Sequence, residues 1–172
     1  GSYDLIILAR SFPYGGMENP NVTFLNQALL VGDKSMAPTI AHEMAHQWFG
    51  DKITCGTWKD IWLNEGLTEY MSGMVYEYLD GASTFVNWKT NKITSITSQL
   101  GGATYLSDAG ALNVNTIFSS RLTYNKGSMI AHMLRWKLGD VKFFQALKSY
   151  LADPAVAYGY AVSANLKSHL EA

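Results

Sequence analysis

The chain has 172 residues, 48% of them hydrophobic and 16% charged, a composition typical of a globular domain with a sizeable core. Its formal net charge of −1 provides no electrostatic basis for binding nucleic acid or an anionic membrane surface. The single cysteine, Cys55, excludes an internal disulfide and fits a reducing, cytoplasmic compartment. The longest apolar run, residues 5–9, is too short to span a bilayer, so we expect no membrane segment.

Strand signals come first along the chain. The segments "YDLIILA" and "NVTFL" predict two β-strands, and "ALLV" at residues 28–31 predicts a third. Between the first two lies "SFPYGGMENP", whose prolines and glycine pair are typical of a loop or an irregular edge strand. The N-terminal part is therefore predicted to form a small sheet.

A helical pattern begins near residue 35. We predict Ser35 as its N-cap, Pro38 in its first turn and Gly50 as its end. Its large apolar residues recur every four positions, and we expect this stripe to face the core: Met36, Ile40, Met44 and Trp48.

Helical spacing also predicts five further helices and one long loop: helices at 61–79, 83–100, 121–138, 141–151 and 162–170, and the loop at 101–115. The second helix has its own apolar stripe: Leu63, Leu67, Tyr70, Met71, Met74, Val75 and Tyr78. Strands followed by helices predict an α+β fold in a single domain, residues 1–172. The chain begins almost directly in a strand pattern and ends in a helical one, so we expect it to be part of a longer multidomain protein.

The first helix carries "IAHEMAHQWFG" at residues 40–50. His42 and His46 are separated by about 40° around a helix of 3.6 residues per turn, so both imidazoles can reach one metal ion. Glu43 is rotated about 100° from His42 and is better placed to take a proton from a metal-bound water. A core helix that happens to carry two histidines is the alternative, and the motif alone leaves the two interpretations even.

A catalytic zinc site needs a third protein ligand and an open position for water. The segment "WLNEGLTEY" supplies Glu65, which follows His46 after 18 intervening residues and lies off the apolar stripe of its helix. A solvated carboxylate at a helix start is the alternative role. Taken together, the two motifs predict a zinc site with His42, His46 and Glu65 as its ligands.

This pattern, H-E-x-x-H followed after 18 residues by N-E-G, resembles the zinc signature of the gluzincin zinc aminopeptidases. That family includes aminopeptidase N, aminopeptidase B and the leukotriene hydrolase. The resemblance implies a thermolysin-like zincin catalytic domain, with a small N-terminal sheet followed mainly by helices, and one Zn²⁺ per chain. It also implies peptide substrates with a free N-terminus, and N- and C-terminal domains that lie outside this chain.

Two further motifs extend the resemblance. "GGMEN" at residues 15–19 is similar to the exopeptidase motif of the family, which implies that Glu18 holds the α-amino group of the substrate. Its neighbours are then expected to contact the substrate backbone or the N-terminal side chain: Tyr14, Gly15, Gly16 and Met17. "YNKG" at residues 124–127 resembles the family's tyrosine motif, which gives Tyr124 the role of hydrogen-bond donor to the oxyanion.

Several alternatives stay open. An endopeptidase on the same fold and a non-catalytic peptide-binding domain that contains zinc would both carry part of this pattern. Glu69, one turn after Glu65, is expected either to accept a hydrogen bond from a ligating histidine or to face solvent. One departure concerns the leukotriene hydrolase, which carries an aspartate eight residues before the tyrosine; this chain has Thr116 there, so epoxide hydrolysis is not expected.

Overall fold

The computed structural model describes residues 2–172. Its first sheet contains β1 (Asp4–Leu8), β2 (Gly16–Met17) and β3 (Val22–Asn26), in the order β1-β3-β2. The central β3 pairs in parallel with β1 and antiparallel with the two-residue β2. The prediction of an irregular edge strand within "SFPYGGMENP" is therefore confirmed, and this strand ends directly before Glu18.

The third strand predicted at "ALLV" is wrong. The chain instead makes a 3₁₀ turn at Gln27–Leu29 immediately after β3. Asn26 causes this change, because its side-chain oxygen accepts a hydrogen bond of 2.8 Å from the backbone N–H of Ala28 and so caps the turn.

Helices account for most of the remaining chain. Within residues 2–172 they are α1 (Ala37–Ala45), α2 (Trp62–Asp80), α3 (Ala82–Thr97), α4 (Val114–Ile117), α5 (Gly127–Leu138), α6 (Asp140–Ala152) and α7 (Ser163–Glu171). Predicted helices are confirmed at α2, α3, α6 and α7, whereas α4 lies at the end of the predicted loop. The predicted helix at 121–138 begins instead as a π-helical segment, Ser120–Lys126, before α5. None of these helices is both long and apolar enough to cross a bilayer.

The limits of α1 differ from the prediction. A 3₁₀ turn at Lys34–Met36 precedes the helix, and Asp33 rather than Ser35 caps that turn, accepting a 2.8 Å hydrogen bond from the Ser35 N–H. The helix also ends earlier than predicted, at Ala45, and turns connect it to Gly50.

The predicted apolar stripe of the first helix does not face the core as a whole. Met44 is 41% exposed, Trp48 in the turn after the helix is 46% exposed, and Met36 and Ile40 are half-buried. By contrast, His42 and Glu43 on the helix and His46 directly after it are buried. Burial of the polar face is possible because hydrogen bonds from neighbouring elements satisfy the imidazole nitrogens. The helix therefore directs its histidines towards the inside of the domain, against α2.

A second, two-stranded sheet has no counterpart in the sequence prediction. β4 (Ile53–Cys55) and β5 (Gly159–Ala161) pair in parallel although about a hundred residues separate them. Three-residue strands are too short to show a periodic pattern. Their pairing brings the end of the chain next to the segment that leads from α1 to α2.

The helix α2 is the centre of the domain. It packs against α1, α3 and α5, and its predicted stripe is buried at Leu63, Leu67 and Tyr70. The last residue of that stripe is an exception, since Tyr78 is exposed near the end of the helix. The start of α2 is also tied to α7, because the buried Asp60 carboxylate accepts hydrogen bonds from the N–H and Oγ–H of Ser163. These contacts fix the turn of helix that carries Glu65.

Candidate metal centre and active site

Three buried side chains meet at one point: His42 on α1, His46 directly after this helix, and Glu65 on α2. His42 Nε2 lies 3.2 Å from His46 Nε2, and each of these nitrogens lies 3.3 Å from Glu65 Oε2. The structure thus brings together the three predicted ligands, although 18 residues separate His46 from Glu65 in the sequence. Their roles as zinc ligands stay predictions.

Hydrogen bonds on the far side of each ring set the direction of these nitrogens. His42 Nδ1–H donates to Glu69 Oε2 at 3.0 Å, and His46 Nδ1–H donates to the backbone carbonyl of Phe49 at 2.9 Å. Because both partners can only accept, the neutral tautomer of each ring carries its proton on Nδ1. Each Nε2 then presents a lone pair towards Glu65, as a metal ligand must.

The size of this triangle fits a tetrahedral zinc ion. Ligands about 2.0–2.1 Å from zinc in tetrahedral geometry stand about 3.3 Å from one another, close to the separations of 3.2 and 3.3 Å between the three atoms. The same proximity couples their titration. Burial alone would lower the pKa of His42 and raise that of Glu65, but a hydrogen bond from the protonated imidazolium of His42 to the Glu65 carboxylate shifts both pKa values the other way. The Glu65 carboxylate therefore stabilises positive charge on the imidazoles beside it.

Glu43 lies beside this group and points towards the backbone of β2. A Cβ atom on Gly16 would stand 2.3 Å from Glu43 Cδ, so only glycine permits this close approach. Burial raises the pKa of Glu43 to about 7, although the neighbouring His42 and His46 lower it. A carboxyl group with this pKa can accept and release a proton near neutral pH.

Glu18 lies at the same place, directly after β2. Its carboxylate, that of Glu43 and a ring nitrogen of His46 all lie within 4.8 Å of one another. This second cluster could also hold an ion, but it contains two carboxylates and a single imidazole. The first group offers two imidazoles and one carboxylate, the donor set that is common in catalytic zinc sites.

Tyr124 also belongs to this site, where it contacts His42. It lies in the π-helical segment Ser120–Lys126, and its ring stacks on His42 with 5.8 Å between ring centroids. Burial and the nearby Glu65 carboxylate raise the pKa of Tyr124 above its usual range, so the phenol keeps its proton. A protonated phenol can donate a hydrogen bond, and single π-helical turns are frequent at functional sites.

The glycines that follow Glu65 and Tyr124 explain how these two residues come together. Gly66 on α2 and Gly127 at the start of α5 are in direct backbone contact, and a Cβ on Gly66 would lie 2.8 Å from Gly127 Cα. Gly66 of "NEG" and Gly127 of "YNKG" therefore allow α2 and α5 to cross in close contact.

We expect Gly66→Ala to lower the free energy of unfolding by about 1–3 kcal/mol, because the added methyl group must push α2 and α5 apart. Urea denaturation of this variant beside Gly159→Ala provides the measurement. A Cβ on Gly159 meets no atom closer than 3.4 Å, so this control variant should stay near the wild type. A stability loss no larger at Gly66 than at Gly159 would contradict the close helix crossing.

Similarity to known proteins identifies the family of the chain. The chain matches the description "Peptidase family M1 domain" over residues 1–172. The chain belongs to peptidase family M1. It is 38% identical over 159 residues to leukotriene A-4 hydrolase of Xenopus laevis, covering 88% of this chain and 26% of the relative. It is 35% identical over 163 residues to leucine aminopeptidase 2 of Yarrowia lipolytica, covering 86% of this chain and 25% of that relative.

A solved structure extends the similarity to the fold. Yeast LTA4 hydrolase in complex with bestatin superposes with a TM-score of 0.84 at 29% identity, covering 99% of this chain and 28% of the yeast protein. The predicted zinc aminopeptidase family and the α+β zincin catalytic fold are therefore confirmed. The M1 chain spans about a quarter of the length of these curated relatives.

The M1 site opens into a cleft of about 940 Å³. The predicted substrate-binding residues Tyr14, Gly15, Gly16 and Met17 line it, together with Glu18. The three predicted zinc ligands, called the metal group below, line it as well: His42, His46 and Glu65. The remaining walls of the cleft were not predicted from sequence; they include Trp58, Asn115, Phe118 and Tyr160. These residues lie in loops or short elements remote in sequence, and no spacing pattern signals their position.

Glu69 has a further partner that was not predicted from sequence. Lys92 on α3 donates to Glu69 Oε1 at 2.5 Å, while the other Glu69 oxygen accepts from His42. Of the two roles predicted for Glu69, the contact with a histidine of the metal group is the one present. A chain of contacts thus runs from Lys92 through Glu69 to His42.

Proposed function

We propose that this M1 domain is the catalytic domain of a zinc-dependent aminopeptidase, which hydrolyses N-terminal residues from peptides. One observation carries the proposal: the Glu18 carboxylate stands beside both Glu43 and the metal group in one cleft. A negative charge at this point favours a substrate whose ammonium lies next to the bond to be cleaved. The names of curated relatives such as leucine aminopeptidase 2 support this proposal.

Zinc would be held by His42, His46 and Glu65, whose donor atoms have the separations that a tetrahedral ion requires. When bound, zinc supplies Lewis-acid chemistry, since it polarises a carbonyl oxygen and makes a water molecule more acidic. The protein contributes the direction of both imidazoles, which Glu69 and the Phe49 carbonyl fix through the Nδ1 protons.

Proton transfer is assigned to Glu43. Its carboxylate takes a proton from the attacking water and gives it to the nitrogen of the leaving amine, so the same side chain acts first as base and then as acid. Tyr124 donates its phenolic hydrogen to the oxygen that becomes negatively charged as the carbonyl carbon turns tetrahedral. Its raised pKa keeps that hydrogen in place.

Glu18 is proposed to select substrates that have a free N-terminus. Its carboxylate accepts hydrogen bonds from the α-ammonium of the substrate, an interaction strengthened by the opposite charges. An internal peptide would place an uncharged amide there and leave the carboxylate without its partner. We also propose that residues 1–172 form one domain of a longer protein, because relatives are about four times as long.

Hydrolysis of matched free and N-acetylated aminoacyl substrates tests this function in the full-length protein. We expect the free amine to be cleaved with a kcat/KM at least about tenfold higher, the value of one charge-assisted hydrogen bond. Removal of metal with a chelator should abolish hydrolysis, and added Zn²⁺ should restore it.

The two alternatives give different results in the same assay. Equal cleavage of acetylated and free peptides would indicate an endopeptidase on this fold. Zinc binding without hydrolysis of any substrate would indicate a non-catalytic peptide-binding domain. Glu18→Gln sharpens the comparison, because it should reduce cleavage of free-amine substrates while leaving zinc content unchanged.

A further inference from the structure

Gln47, the residue after His46, contacts the loop that carries Glu18 through both ends of its side-chain amide. Its Oε1 accepts a 2.7 Å hydrogen bond from the backbone N–H of Asn21. Its Nε2 donates to the backbone carbonyl of Asn19 at 3.0 Å and to Asp51 Oδ2 at 2.8 Å. All three contacts agree on one orientation of the amide, which is thereby fixed.

The contacted backbone is a tight turn. Val22 N–H donates to the Asn19 carbonyl at 3.0 Å, and Asn21 has a φ of +66°. With Pro20 before a residue of positive φ, these features define a type II turn. Rotation of the peptide between Pro20 and Asn21 would direct the Asn21 N–H away from Gln47, so the contact selects one state of the turn.

Glu18 depends on this turn for its position. It lies between β2, which pairs with β3, and the turn that begins at Asn19. Within the part of the chain that the structure describes, no side chain hydrogen-bonds the Glu18 carboxylate. Its location is therefore set by its backbone, which is held on one side by the sheet and on the other by Gln47.

We propose that Gln47 is a positioning residue for amine recognition, which sets the place of Glu18 relative to the metal group. Few residues connect the metal group to Glu18 in this way, because Gln47 is adjacent to His46 in sequence and Asn19 is adjacent to Glu18. This inference rests on the proposed function, since it concerns the substrate's ammonium. Asp51 supports this orientation of Gln47, because it accepts the second Nε2 hydrogen and keeps the amide turned towards the loop.

Gln47→Met in the full-length protein tests the proposal, because methionine keeps the length of the side chain and removes all three hydrogen bonds. We expect KM for a free-amine substrate to rise about tenfold, as for loss of one charge-assisted hydrogen bond, with kcat changed much less. Preference over the acetylated substrate should fall accordingly. Hydrogen exchange of the Asn21 amide should become faster. Gln145→Met, at an exposed position on α6, is the matched control and should change none of these values.

Gln47→Glu tests the acceptor and the donor end of the amide separately. It keeps an acceptor for the Asn21 N–H but cannot donate to the Asn19 carbonyl, so we expect slow exchange at Asn21 together with a raised KM. Lower thermal stability of Gln47→Met with unchanged KM, or unchanged exchange at Asn21, would overturn the proposal. If the wild-type protein hydrolyses no aminoacyl substrate, the proposed function fails, whereas the exchange experiment still decides whether Gln47 holds the turn.

Discussion

Replacement of Glu43 by glutamine is expected to lower kcat/KM for aminoacyl substrates by about 100- to 10,000-fold, the usual contribution of a general base. Glutamine has nearly the same size, so it fits against Gly16, but its amide cannot accept and return a proton. Zinc content should stay at about one ion per chain, because the expected ligands are His42, His46 and Glu65. Metal analysis and steady-state kinetics on the same preparation provide the measurement.

The matched control for this variant is Glu171→Gln. Glu171 ends α7 and pairs at the surface with Lys167, so the same chemical change there should leave kcat/KM near the wild-type value. Hydrolysis by Glu43→Gln at the wild-type rate would contradict the assignment of Glu43 as the base. Loss of zinc together with activity would instead indicate that Glu43 maintains the metal group.

The residues that meet at the site could be predicted from sequence because short local patterns mark them. Helix geometry places His42 and His46 on the same side of the helix, and short motifs indicate Glu65 and Tyr124. The glycines of those motifs also have a physical meaning that sequence alone did not reveal. Gly66 and Gly127 touch, and this contact brings Glu65 and Tyr124 to the same centre.

The orientation of α1 could not be predicted in the same way. An apolar stripe normally faces the core, yet Met44 and Trp48 face outward while the histidines are buried. The decisive contacts come from Glu69 and the Phe49 carbonyl, and tertiary hydrogen bonds of this kind leave no periodic signal. The pairing of β4 with β5 was missed for a related reason, since it joins two three-residue segments from distant parts of the chain.

Replacement of Glu69 by glutamine is expected to weaken zinc binding by about 10- to 100-fold, as is common when the partner of a ligating histidine is altered. The Glu69 carboxylate accepts the Nδ1 hydrogen of His42 and is itself held by Lys92. Glutamine can still accept one hydrogen bond, but it lacks the charge that makes the imidazole a stronger donor to the metal. Competition with a chelating dye measures the affinity directly, without reliance on turnover.

Glu77→Gln is the control for the Glu69 variant, because Glu77 lies on the same helix and pairs with a cation, Arg135, at 3.1 Å. Removal of that ion pair should leave zinc affinity unchanged. Lys92→Met is expected to weaken zinc binding less than Glu69→Gln does, since it frees the carboxylate but keeps its charge next to His42. Equal zinc affinity in wild type and Glu69→Gln would show that the Phe49 carbonyl and the ligands themselves suffice to orient the site, and that the contact between Lys92 and Glu69 serves only the packing of α3 on α2.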